Sequence, residues 1–547
     1  MARGNIFSCA FFFLAIFALL SGFAKIINAE GTGTSKYENL TSLFKEWREF
    51  QKPKMIDGVP DYTPAAMKEQ KRGLEKMKSR LVAINYKAWP VSQQVDYHLV
   101  RAEMNGLEFD HRVLRPWSRN PCFYLVISRL APQMFQEGPW FYGTLGTRNL
   151  KFPLPDKDIA ELRMKLRDIP KILEQAKGNL TEEAKDLWFL GIKQKTKELG
   201  VLENLMKQLA QHHPDLVPDA EQANTAMHDF RSWLEKKQSR MTAPSGIGVE
   251  NYNWYLKNVQ LVPYTWQDEL VIVERELNRA LTSLKLEENR NRKLPKLEPV
   301  ASDEEHRRRF LEAANYYIEF LRNEEIFTVA DYMHVGLEIG PFVPPTSVRD
   351  FFTHIEYRDS LPMRCHGAHT LDELRVEHDP NPSPIRRDTL LYNIWAFRGE
   401  GLATGMEEMM MHAGLHDKRS PRVRELIYIL LANRAARAIG GLKMQSNELT
   451  VEDAVKFAVE WTPNGWLPES LTIWYDEQLY LQQPGYGESY VVGKVQIEKL
   501  LADRAHQLGE KFSLKQFMDE FHAAGMIPVA LTRWEVTGLE DEIKKLW

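Results

Sequence analysis

Apolar residues recur along most of this chain with the spacing of one face of a helix. Thr63 offers an N-cap and Pro64 a first helical position, after which Met67, Leu74, Met77 and Leu81 fall on one stripe. Ser302 and Glu305 have the spacing of a capping box, ahead of Phe310, Leu311, Ala314, Tyr317, Ile318 and Leu321 on a shared face. Thr450 and Asp453 repeat that device, and Ser513 to Gly525 carries both a helix start and a helix stop. Strand signals are few and short, such as the run from Phe123 to Ile127, and no fixed-period repeat suggests a solenoid. The pattern predicts a mainly α fold, one large multi-helix domain over 30–547 with few short strands. A softer division at Met241 to Gly248, MTAPSGIG, would separate an N-terminal helical part from a C-terminal part that bears the candidate site, although the same residues also suit a surface loop.

The first residues follow a different rule. Arg3 precedes an apolar run from Ile6 to Ala24, and Ala29 supplies a small residue before Glu30, so 1–29 reads as a signal peptide for export to the periplasm or the exterior. An apolar run of this length also suits an uncleaved signal anchor, and both readings stand. Cys9 lies early in the run, whereas a lipoprotein cysteine would lie at its end, so no lipid anchor is expected. Only Cys122 and Cys365 remain after export, too few for a disulfide framework, and a body of about 520 residues buries a large core without one. A single Cys122–Cys365 bridge stays open. The net charge of −4, with acids and bases nearly balanced, leaves no footprint for nucleic acid or for an anionic membrane surface.

The most informative stretch is HGAHTLDE, His366 to Glu373, followed by a helix that opens GEGLATGMEEMMMHAG from Gly399. His366 and His369 are three apart, which suits one helical turn, although Gly367 between them disfavours a regular helix. Glu400, Thr404, Glu407 and Met411 recur at offsets of four, seven and eleven, which puts two carboxylates on one face. Such a face is either a solvated acidic surface or part of a site. A histidine cluster ahead of a glutamate helix resembles the layout of a helical zinc peptidase, but no H-E-x-x-H string occurs. A glycine-rich phosphate loop, a serine nucleophile elbow and a paired-cysteine metal motif are also absent from the sequence, which removes several large enzyme classes.

From Gly399 onward the chain resembles the domain of unknown function 885 family, bacterial proteins mostly described as zincin-like peptidases. Glu400-Gly401-Leu402-Ala403-Thr404-Gly405-Met406-Glu407 keeps both glutamates of the family's E-G-W-A-x-Y-x-E helix and replaces its Trp and Tyr. Arg434-Ala435-Ala436-Arg437 is similar to its R-A-x-R helix, and Pro484-Gly485 with Tyr490-Val491-Val492-Gly493-Lys494 to its P-G-x-x-x-x-Y-x-x-G segment. Gly525 to Ala530 resembles its G-x-x-P-L end, and Gly248 to Leu261 its G-x-x-x-Y-x-x-x-L start. The likeness therefore runs over Gly248 to Trp547. The departures gather at the centre. When the family's later histidine is aligned with His369, Met363 and Arg364 stand where its H-E pair belongs, and Ile439-Gly440-Gly441-Leu442-Lys443 lacks the acid and histidine of its D-x-G-L-H.

The resemblance and the residues together imply a zinc site of His366, His369 and Glu400, with His378 or Glu373 near in sequence and Glu373 or Glu407 as the base. Tyr490 occupies the place of the family's tyrosine, where a phenol would stabilise a developing oxyanion. Arg434 and Arg437 would clamp a substrate carboxylate, or else pair with Glu400 and Glu407. His354 and Glu356 in THIEYRD form a second, looser metal candidate, and the aromatics from Trp461 to Tyr490 would line a cleft or fill core. Two functions from different classes follow. One is an exported peptidase-fold protein that has lost standard zinc chemistry and binds peptides or acts as a scaffold; the other is a divergent metal-dependent peptidase or amidase using His366, His369 and Glu400.

Overall fold

The computed structural model describes residues 34–129, 141–336 and 339–547. The segment 1–29 lies outside the described residues, and among those residues no helix is long and apolar enough to cross a membrane. The fold is mainly α. Helix α1 (Tyr37–Phe50) turns Leu40, Leu43, Phe44 and Trp47 inward, and α2 (Pro64–Val82) buries Met67, Leu74 and Leu81 with Met77 packed at the edge. The Thr63 hydroxyl accepts the Ala66 N–H, so the start read from the sequence is the start observed. Helix α3 (Val91–Phe109) runs through the interior, where its Glu103 accepts from the Trp47 indole at 2.8 Å and from Arg48 at 2.6 Å.

The sheets are minimal. Strands β1 (Met55–Ile56) and β2 (Val59–Pro60) form an antiparallel hairpin, while β3 (Ile127–Ser128) pairs in parallel with β4 (Leu145–Gly146). After the single turn α4 (Pro116–Arg119), the strand expected from Phe123 shrinks to its last residue. Pro121–Phe123 forms a 3₁₀ turn because the Asn120 side chain captures the Cys122 N–H.

Three long amphipathic helices follow: α5 (Asp156–Asn179), α6 (Lys185–His212) and α7 (Val217–Gln238). They interlock through Leu162, Leu166, Ile169 and Leu173 on α5, Leu199, Leu202, Leu205 and Leu209 on α6, and Met227, Phe230 and Leu234 on α7. Residues 241–248 then cross to the end of a helix two hundred positions later. Gly248 N–H donates to Gln445 O at 2.8 Å, and a Cβ on Gly246 would lie 2.1 Å from Met444 O, so this approach admits only glycine.

Helix α8 (Val249–Tyr255) leads to α9 (Trp266–Arg290), which a Thr265–Asp268 capping box opens. Helix α10 (Asp303–Asn323) starts at Ser302, which accepts the Glu305 N–H, but Glu305 reaches back to Ala301 N–H rather than to Ser302, so the reciprocal half of the expected box is displaced by one residue. Its expected face is buried at Phe310, Ala314, Tyr317 and Leu321, whereas Leu311 is 43% exposed. Short helices α11 (Phe351–Glu356), α12 (Leu361–Cys365) and α13 (Ala368–His378) then climb toward the centre.

That centre is α14 (Ala396–His412) and α15 (Val423–Gln445), both buried almost all round. Around them stand α16 (Val451–Trp461), opened by the Thr450–Asp453 capping box, α17 (Leu471–Gln482), α18 (Tyr486–Leu508), α19 (Leu514–Ala523), α20 (Val529–Thr537) and α21 (Ile543–Leu546). Helices α14 and α18 meet at Gly401 and Gly493: a Cβ on Gly493 would lie 2.0 Å from Phe397 O, and one on Gly401 would lie 2.4 Å from the Gly493 carbonyl carbon. The helices approach at backbone contact, which lets Glu400 on one and Tyr486 on the other share a site. Cys122 and Cys365 are both buried and free, in separate core clusters, so the open Cys122–Cys365 bridge does not form.

Candidate functional site

The site is built where α12 gives way to α13. Helix α12 stops at Cys365, His366 occupies its C-cap, and Gly367 bridges to α13 because a Cβ there would press on Arg364 O at 2.8 Å and on the Val335 side chain at 2.9 Å. His366 and His369 therefore face one space from adjacent turns, with rings 5.2 Å apart at 84°. Asp372, one turn beyond His369, is bound by both Arg398 and Arg375, and its pair with the buried Arg398 ties α13 to α14.

Glu400 on α14 completes the group. Its Oε2 lies 2.9 Å from His369 Nε2 and 3.9 Å from His366 Nε2, while Oε1 accepts the Tyr486 hydroxyl at 2.7 Å. Burial opposes charge on Glu400, but His369, then His366 and the Tyr486 hydroxyl, hold its carboxyl down at about 2. For His369, burial opposes the proton and Glu400 more than restores it, so the imidazole is raised above its ordinary value. His366 is pushed well below its ordinary value by burial, then by Arg434 and His369. It is the neutral imidazole of the pair.

Two turns along α14, Glu407 receives a fork from Arg434 on α15, at 2.7 Å to each oxygen. Burial pushes the Glu407 carboxyl up to about 7 against the pull of this guanidinium. Glu407 Oε1 also lies 3.1 Å from His366 Nδ1, and Arg434 Nη2 lies 3.2 Å from the same nitrogen. When Nδ1 donates to Glu407, the His366 lone pair is left on Nε2, facing Glu400. Glu407 thus stands behind His366, bound on both oxygens, rather than free as a base. Of the two functions read for Arg434, the structure shows the pairing with the glutamate face.

Arg437 does not join Glu400 or Glu407. It pairs with Asp476 on α17 and lies under Tyr490 at 5.5 Å and Tyr480 at 5.9 Å. The Tyr490 ring is parallel to His366 at 6.4 Å and edge-on to Tyr486 at 6.0 Å, and among the described residues its hydroxyl has no hydrogen-bond partner. Burial and then the Glu400 charge push that phenol well above its ordinary value. Glu373, one turn past His369, is half-buried and also has no hydrogen bond or ion pair among the described residues; burial raises its carboxyl and His369 opposes that rise.

The other candidates separate. His378 ends α13 exposed, stacked on Tyr332 at 4.7 Å, and does not join the cluster. Glu356 pairs with Arg364 at 2.7 Å while His354 stacks on Trp466, so the THIEYRD residues do not converge on one point. Asp476 was not singled out from the sequence. Tyr486 was read only as one of the aromatics from Trp461 to Tyr490 that line a cleft or fill core; it follows the Pro484-Gly485 turn, where Gly485 has φ +85° and opens α18.

Taken as donors, one nitrogen from each of His366 and His369 and one oxygen from Glu400 lie within 4.8 Å of one another. Two imidazoles and one carboxylate match a catalytic zinc donor set that leaves a coordination position open, and Glu407 on His366 and Tyr486 on Glu400 supply the orienting outer partners such ligands take. The residues present fit the group. The imidazoles keep 21% and 25% of their side-chain surface exposed, so solvent reaches the cluster.

Comparison with known proteins agrees at the level of fold. Residues 369–536 match the family described as bacterial protein of unknown function (DUF885), a stretch running from His369 to α20. No curated protein matches the chain. A candidate lipoprotein of unknown function from Shewanella oneidensis has a similar structure, with TM-score 0.66 at 16% identity, covering 91% of this chain and 99% of that one. Another candidate lipoprotein, from Colwellia psychrerythraea, is similar with TM-score 0.67 at 14% identity, covering 92% and 99%.

Proposed function

We propose that this chain is an exported metal-dependent hydrolase in which His366, His369 and Glu400 hold one divalent cation, zinc by its donor set, for cleavage of an amide bond in a peptide or small molecule. The observation that carries this reading is the convergence of the three donor atoms within 4.8 Å, with Glu407 and Tyr486 already oriented behind them. The apolar N-terminal run supports export, as do the two similar structures described as candidate lipoproteins.

A bound zinc would supply Lewis acidity toward a carbonyl oxygen and lower the pKa of water. The chain supplies the rest. Glu373 is the unpaired carboxylate beside His369, and the burial that raises its carboxyl above the ordinary value suits a group that accepts and returns a proton. Tyr490 holds its proton and offers its free hydroxyl to negative charge developing on the substrate oxygen. The Asp372–Arg398 pair and the Glu407–Arg434 fork fix the two histidines in place.

A second reading rests on one observation. Glu407 is bound by Arg434, and Met363 and Arg364 stand where the related family carries its His-Glu pair, so binding of a peptide without turnover is the competing function. Elemental analysis of the zinc-reconstituted full chain tests the first reading. One zinc per chain is expected, with affinity reduced at least about tenfold in His369→Ala and Glu400→Gln. A metal-free protein after reconstitution removes the hydrolase reading. Glu373→Gln should keep the metal and lower turnover by about a hundredfold or more; metal without any turnover favours the binding protein.

A further inference from the structure

The near balance of charge over the whole chain conceals a local excess on α2. The core face of this helix carries Met67, Leu74 and Leu81 at seven-residue spacing, so the opposite arc meets water. Lys68, Lys71, Arg72 and Lys76 lie on that arc, all exposed and, among the described residues, without an ion-pair partner. Glu75 lies among them, so four cations less one anion leave an excess of three. The flanking charges are already paired: Lys54 with Glu69 at 3.0 Å, Lys78 with Glu108, and Arg80 with Glu46 at 2.6 Å. On α10, by contrast, Arg307, Arg308 and Arg309 pair along their own helix with Asp303, Glu312 and Glu305. The chain comes to α2 from the apolar run. Ser35 lies against the end of the helix: its N–H donates to Asn85 O at 3.1 Å, its hydroxyl oxygen accepts the Asn85 N–H at 2.9 Å, and its carbonyl accepts the Trp89 indole at 2.6 Å. Ten residues, 25–34, separate Ser35 from the end of the run at Ala24, a reach of at most about 35 Å. Val82, 77% exposed, stands at the same end of α2 and in line with Lys71.

We propose that the exposed arc of α2 is a docking surface for an anionic phospholipid bilayer. Four cations within nine residues meet a negatively charged surface as a group, in the way that basic clusters beside a membrane segment do. Two features favour a bilayer over a soluble anion. The charges from Lys68 to Lys76 are spread along about 12 Å of helix rather than converging on one point. The large apolar residue exposed beside them, Val82, stands at the end from which the chain leads back to the apolar run. An uncleaved run would hold α2 within reach of the headgroups and raise their effective concentration. A cleaved chain would bind through the arc alone and more weakly. The surface acts independently of the histidine cluster, so this inference stands apart from the hydrolase reading.

The test is lysine acetylation, read by mass spectrometry, of the full chain on vesicles of phosphatidylcholine alone and of phosphatidylcholine mixed with phosphatidylglycerol. Lys68, Lys71 and Lys76 should react at least about fivefold more slowly on the anionic vesicles. The exposed Lys207 on α6 and Lys456 on α16 should react equally on both. High salt should remove the protection, because exposed charges are screened. Lys68→Gln/Arg72→Gln, at exposed positions, should remove it from Lys71 and Lys76 and leave the circular dichroism spectrum unchanged. Insertion of the apolar run, which neutral vesicles also accept, does not produce this difference between the two vesicle types. Equal reactivity on both, or protection that survives high salt or the double substitution, overturns the surface. Equal protection by glycerol phosphate in solution assigns the arc to a soluble anion and overturns the bilayer.

Discussion

The α5–α7 bundle and the α14–α15–α18 centre bury their residues by opposite means. In the bundle each helix has one apolar stripe and one wet face, and leucines at helical spacing meet leucines. In the centre, α14 and α15 are enclosed on every side and carry Arg398, Glu400, Glu407, Glu408, Arg434 and Arg437 into the interior with them. Each of those charges is bound, Glu408 by Arg279 at 2.7 Å and by Lys494 at 3.0 Å. The bundle stabilises chiefly by removing apolar area from water, although α6 also buries the Lys195–Glu198 ion pair. The centre spends stability on desolvated charge and gains fixed positions for the histidines and Glu400.

The comparison can be broken most sharply at a buried pair. Arg434→Met leaves Glu407 buried without its partner and should cost about 3–5 kcal/mol in chemical denaturation. Adding Glu407→Gln should recover part of that loss, because a neutral amide tolerates the site better than a lone carboxylate; no recovery would mean that the fork contributes through packing rather than charge. Gly493→Ala tests the backbone contact between α14 and α18. Overpacking at that depth costs about 1–3 kcal/mol or more, and it should disturb Glu400 as well as stability. Leu202→Ala, at the fully buried face of α6, should cost about 2–4 kcal/mol by cavity formation with no effect on metal content.

A smaller effect sharpens the contrast through pH. Glu488 on α18 is fully buried, one of its oxygens is unpartnered, and burial pushes its carboxyl up to about 8. The folded form then holds a proton that the unfolded chain releases near the ordinary glutamate value. Its stabilising contribution is complete below that value and is lost as pH rises through about 8. Glu488→Gln should leave stability nearly unchanged at pH 5 and raise it at pH 9 by about 1–3 kcal/mol relative to the parent. A parallel pH profile in both proteins would show that Glu488 is charged in the fold.

Much of the bundle type of structure was legible in advance. The caps at Thr63, Thr450 and Ser513 and the stripe of α2 follow from local hydrogen bonding and from period 3.6, and each is found where the residues put it. At the site, His366, His369 and Glu400 were legible as residue types in order, and the glycines of GEGLA and YVVGK as a shared pattern. What the pattern did not reveal was that Gly401 and Gly493 touch, and it left open whether Arg434 pairs with the glutamate face, as it does at Glu407, or meets a substrate. The short strand near Phe123 was misjudged because the hydrogen bond that the Cys122 N–H donates to the Asn120 side chain competes locally with extension.

The sequence by itself determined the helical class, the helix starts and the presence of a histidine cluster ahead of a glutamate helix, because propensity, capping and periodicity act over a few residues. Only the tertiary structure decided which carboxylate faces the two histidines and which is held behind them. Glu400 and Glu407 are alike in sequence, two turns apart on one face, and they differ because His369 and Tyr486 meet the first while Arg434 meets the second. Those partners come from three other helices, and the strength of a buried charge depends on what long-range packing brings within about 3 Å of it.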